Sequence, residues 1–185
     1  MRKFGVLTAT IFITILIAGV YGILHDQVTY TISQEYFTKF KYRQFGFKPA
    51  WCNGHRQTVA VIGFLATWWV GLWTGLIIGL TGLIYPDHHI MKKGVTNAIK
   101  IVFVTAVIFG LIGFFRGRYY LIDTGVNWWF PEDLIDKSSF IIVGSINNYS
   151  YLGGIIGLII GIVYMLRDYS LVKRKQQSIK TNPSP

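Results

Sequence analysis

The chain alternates between long apolar runs and shorter polar runs rich in aromatic residues. Residues 4–24, 57–85 and 140–166 hold no charged side chain, and residues 97–115 hold one, Lys100, in the first turn. About 20 apolar residues carry an α-helix across the hydrocarbon layer of a bilayer. A helix also satisfies within itself the backbone groups that lipid cannot. Four such runs predict an all-α integral membrane protein built as a four-transmembrane-helix bundle. The runs at 57–85 and 140–166 exceed the minimum length and predict tilted or projecting helices.

The polar intervals are a long loop (25–56), a short turn (86–96) and a second long loop (116–139), which predicts two hairpins in one transmembrane domain over 1–169. The remainder, 170–185, is polar and basic and predicts a disordered cytoplasmic tail. The basic start at Arg2 and Lys3, with Val20 and Gly22 as small positions, also suits a signal peptide. The apolar run outlasts the ~7–15 residues of such a segment, so an uncleaved first helix is expected.

The long loops predict a small outer cap of short strand and helix segments. Val28, Thr29, Tyr30, Thr31 and Ile32 alternate as a strand does, and Ser33 suits a helix cap. Residues 35–43 mix rings with cations. Phe37, Phe40 and Lys41 share one side, as in a helix lying in the membrane interface. In the second loop, 118–123 reads as strand-like and 127–130 is a dense aromatic group. Pro131 with Glu132 and Asp133 suits a helix start.

Composition sharpens this picture. Hydrophobic residues make up 52% of the chain and charged residues 14%, well below the ~25% charged residues of soluble domains. The formal charge is +10, a balance that alone suggests nucleic acid. The basic residues instead flank apolar runs, so the excess reads as topology plus attraction to lipid, with no nucleic-acid partner. Their density is higher on segments 1–3, 86–96 and 167–185 than on the two long loops. By the positive-inside rule both termini are cytoplasmic, in what compactness and short loops suggest is a bacterial inner membrane. Lys39, Lys41, Arg43, Lys92 and Lys93 are the expected headgroup contacts. The one cysteine, Cys52, excludes an internal disulfide and a CxxC motif.

Helix contacts are written in glycine. Gly71, Gly75 and Gly79 form a ridge on the second run, and Gly153, Gly157 and Gly161 a ridge on the fourth. Small residues let helix backbones approach in lipid. The two ridges are matched candidates for each other, or for a seam between copies in a homo-oligomer or larger membrane complex. Trp69 and Trp73 lie opposite Gly71 and Gly75 and are expected to face outward or toward another helix.

Candidate chemistry falls into three groups. Asn147, Ser150, Gly154, Gly157 and Gly161 form a small or polar seam on the fourth run. With Asn148 and the threonines Thr67 and Thr74 they outline a polar path. His25, Asp26, Glu35 and His55 flank the first outer loop and offer imidazole and carboxylate ligands for a transition metal. The alternative is a hydrogen-bond cluster holding the loop. No cofactor is otherwise predicted. The pair His88 and His89 sits in the inner turn. GxSxG, Walker and dinucleotide-binding patterns are absent. No apolar run contains the buried acid of a proton-coupled carrier.

The function expected from sequence is a non-enzymatic structural, assembly or accessory subunit using the glycine ridges and aromatic outer loops. The alternatives are a small oligomeric channel or transporter with a polar path near Asn147 and Ser150, and a metal-binding membrane enzyme at the outer surface.

Overall fold

The computed structural model describes residues 2–181. Four long helices carry the fold: α1 (Arg2–Ile32), α2 (His55–Gly82), α3 (His88–Arg116) and α4 (Lys137–Thr181). Each is long and apolar enough to cross a membrane. The architecture is all-helical, and no strand occurs among the described residues. The expected strand segments of the cap are therefore corrected. Val28–Ile32 continues α1, and residues 117–121 form a π-helical turn that prolongs α3.

Tertiary contact explains why the β-branched run at 28–32 stays helical. Thr29 and Thr31 return their hydroxyls to the carbonyls of His25 and Gln27. Arg56 at the start of α2 holds this turn in place. Its guanidinium donates to the Gln27 carbonyl at 3.0 Å and lies 4.8 Å from the Tyr30 ring centre. Packing of one face overrides a local strand preference. Ser33 then ends α1, and its hydroxyl accepts from the Tyr36 amide.

Each glycine ridge packs within its own hairpin. A Cβ at Gly71 or Gly75 would collide with Thr14 on α1, and one at Gly79 would crowd Leu7. A Cβ at Gly153 or Gly157 would strike Phe109 or Val102 on α3. The expected pairing of the two ridges with each other is thus corrected. Antiparallel neighbours joined by a connection meet first, and their glycines let those backbones touch. Thr67 strengthens the first hairpin by donating to the Ala18 carbonyl at 2.7 Å.

The hairpins meet mainly at their two ends. At the loop end Tyr30, Tyr36, Phe37, Tyr42, Val59, Ile62, Phe140 and Val143 form a buried cluster. At the turn end Ile78, Tyr85, Met91, Val95, Ala98 and Met165 form another. α4 continues past the expected tail boundary to Thr181, because no glycine or proline interrupts 170–181. The last expected tail residues, 182–185, lie outside the described residues. Pro131 begins no helix; residues 132–133 turn, and Asp136 accepts from the Ser139 amide at 2.9 Å at the start of α4.

Candidate functional site

Between the two end clusters the hairpins enclose a cavity of ≈ 110 Å³ lined by all four long helices. One water requires only ~10–15 Å³ on that measure. The wall is mostly apolar, with Ile17, Val70, Val102 and Phe103 among its residues. The lining residues Ile17 and Phe103 retain much accessible surface. Gly154 faces the cavity, and a Cβ there meets open space.

The polar residues gather toward the loop end. Tyr21 on α1 donates its hydroxyl to Ser150 Oγ on α4 at 3.3 Å. Ser150 Oγ lies 3.3 Å from His25 Nε2, and His25 Nδ1 lies 3.1 Å from Asp26 Oδ1. A continuous relay therefore runs Tyr21–Ser150–His25–Asp26 across the gap between hairpins. Tyr151 adds a second bridge, donating to the Ala66 carbonyl on α2 at 3.0 Å. Asp26 is 4% exposed. Its Oδ2 is the one deeply buried side-chain polar atom among the described residues without a hydrogen-bond partner.

Asp26 is an acid on α1 that burial inside the protein takes out of solvent. The charge-free run stops at Leu24, but the helix does not: α1 continues for another two turns and takes Asp26 inside. Lys41, on the π-helical turn Tyr36–Lys41, lies within electrostatic reach of it. Lys41 is 7% exposed. Burial lowers its ammonium pKa below the ordinary value, and the Asp26 carboxylate works in the opposite direction.

The polar-path residues divide. Thr67, Thr74, Asn147 and Ser150 line the cavity, whereas Asn148 is exposed and points away. Asn147 returns its amide to the Val143 carbonyl of its own helix at 3.0 Å. The seam along α4 splits as well: Ser150 and Gly154 look into the cavity, while Gly157 and Gly161 pack on α3.

The four expected metal ligands are not brought together. His25 and Asp26 touch each other, but Glu35 is engaged by Lys39 and accepts from the Ile135 and Asp136 amides at 3.1 and 2.6 Å. His55 stacks on Tyr42 and lies 3.1 Å from its hydroxyl. Among the described residues the one His and carboxylate trio close enough to share an ion is Asp87, His88 and His89 at the turn. There Asp87 caps α3 by accepting from the His89 amide at 2.7 Å.

The headgroup set divides likewise. Arg43, Lys92 and Lys93 are exposed. Lys39 instead bridges the two long loops, contacting Glu35 and both the carbonyl and the carboxylate of Asp133. Lys41 turns inward, because Phe37 on the same side is fully buried in the loop-end cluster and brings the whole face with it. Trp69 and Trp73 are exposed.

Tyr21, Asp26 and Tyr151 were not distinguished as a cavity set by their sequence. Tyr21 and His25 stand one helical turn apart, which was the available signal. Their partner Ser150 is 129 and 125 residues away, a separation that local pattern does not resolve. No protein-family model, curated protein or solved structure matches the chain.

Proposed function

We propose that this chain is a membrane protein that binds a small lipophilic molecule in the cavity between its hairpins, as a carrier or occluded-path transporter. Both termini are taken as cytoplasmic, from the density of basic residues. The observation that carries the reading is the cavity itself. Glycine contact zips each hairpin tightly, yet between their end clusters the two hairpins leave a cavity, bridged by Tyr21–Ser150 and Tyr151–Ala66. Most ligand sites are concave and largely apolar with a few convergent polar groups, and this cavity has that composition. The accessible lining residues Ile17 and Phe103 offer the approach for a lipid-dissolved molecule.

The test uses Gly154→Leu. Gly154 lines the cavity, and a Cβ added there meets nothing within 4 Å. A photoreactive alkyl diazirine in nanodiscs is expected to label lining residues such as Val102 and Ala66 in the parent protein. Labelling there should vanish in Gly154→Leu while helicity and Tm persist. Unchanged labelling in a folded Gly154→Leu protein would sink the proposal.

A second reading, an accessory subunit in a larger membrane complex, is favoured by the exposed rings Trp51, Tyr119 and Trp129 and by Ile135 at the loop end. Co-purification of a stoichiometric partner, lost on Trp129→Ser, would support it.

A further inference from the structure

Resting on the cavity-binding reading, we infer that the molecule bound is a neutral lipophile bearing a hydroxyl group, which donates its hydrogen bond to Asp26 Oδ2. Three observations converge on that oxygen. Asp26 lines the cavity, its Oδ2 is buried, and that oxygen has no hydrogen-bond partner among the described residues. Buried polar atoms in native structures are nearly always partnered, so an exception inside a cavity marks a place for an incoming group. The other carboxylate oxygen is already committed to His25, which the relay through Ser150 and Tyr21 holds in place. Oδ2 is therefore presented by a fixed scaffold rather than by a free rotor.

The chemistry of the occupant follows from its surroundings. An ionised carboxylate only accepts, so the group that meets it must donate. A donor supplied by a cation would meet like charge, because the buried Lys41 lies within electrostatic reach of Asp26. A neutral hydroxyl adds no charge and still forms a charge-assisted hydrogen bond. The rest of the molecule must be apolar, since Ile17, Val70, Val102 and Phe103 offer it no polar partner. The class is an alcohol or phenol with a hydrocarbon body.

Competition against diazirine labelling of the full chain in nanodiscs tests this. The probes are 4-hexylphenol, its methyl ether and hexylammonium. The phenol is expected to compete about ten- to a hundredfold better than the ether, the range for one hydrogen bond to a charged acceptor. In Asp26→Asn this preference should collapse toward unity while the ether still competes as before. The comparison within the parent protein stands whether or not the variant folds. Equal competition by phenol and ether would overturn the hydroxyl assignment and leave the cavity reading intact. Stronger competition by hexylammonium would overturn neutrality. Labelling that no probe displaces and that Gly154→Leu does not alter would remove the cavity reading, and this inference with it.

Discussion

The Tyr85 hydroxyl donates to Asp168 Oδ2 at 2.8 Å and lies 3.3 Å from the Met165 carbonyl oxygen. Tyr85 belongs to the turn that joins the hairpins, and Asp168 lies on α4. The contact thus ties the connector to the far helix at the turn end of the bundle. The ring is fully buried, and Gly94 on α3 leaves it room: a Cβ there would collide with the Tyr85 hydroxyl.

Removing that hydroxyl should loosen the turn end. Tyr85→Phe is expected to lower stability by about 1.5 kcal/mol, toward the low side for a bond to a charged acceptor because Asp168 keeps some solvent contact. Gly94→Val should cost more, by displacing the ring. Thermal unfolding in detergent ranks the two, and a Gly94→Val protein as stable as the parent would contradict the placement of Tyr85.

Three glycines on two helices should respond to leucine in opposite ways. Gly75→Leu and Gly157→Leu force apart helices in contact, and overpacking costs about 1–3 kcal/mol or more. Gly154→Leu meets open space, and leucine exceeds glycine in helix propensity by up to about 1 kcal/mol. The expected order of Tm is therefore Gly154→Leu at or above the parent, with the other two well below it.

The bridge between the long loops should be pH-dependent. Lys39 and the Asp136 and Ile135 amides hold the Glu35 pKa below its ordinary 4.5. A carboxylate whose pKa is lowered on folding contributes stability that is present above the unfolded value and lost as pH falls through the folded one. Protection of the 135 and 136 amides, measured against the intrinsic exchange rate at each pH, should fall as pH drops below 4.5. In Glu35→Gln that step should be absent, with the amides less protected throughout.

Metal removal should leave the loop end unaffected. Glu35 and His55 are engaged by Lys39 and Tyr42 rather than by His25 and Asp26. Exhaustive chelation is expected to leave Tm unchanged. A large drop that zinc restores in the parent but not in His25→Ala would revive a metal centre there.

Some features were legible because they are local and repetitive. Four apolar runs of membrane-spanning length specify four helices, since lipid leaves the backbone no other way to bond itself. The glycine spacing likewise marked which helix faces would touch something. The sequence did not say what they touch, because small residues at a four-residue spacing are complementary to any close backbone. Only tertiary structure assigned Gly71 and Gly75 to α1 and Gly153 and Gly157 to α3.

The site was less legible for a related reason. Asp26 lies two residues beyond the end of a charge-free run, and composition alone ends the spanning helix at Leu24. The helix continues because Arg56 and Tyr30 pack across the hairpin, and that contact turns a loop acid into a buried one. Lys41 followed the same rule: its charge reads as a headgroup contact, and the burial of Phe37 on the same face drew it inward. Sequence by itself determined the class of the protein and its four spans, since those depend on local hydrophobicity. The tertiary structure alone decided the helix partners, the cavity and the unpartnered oxygen of Asp26, because each depends on residues brought together from distant parts of the chain.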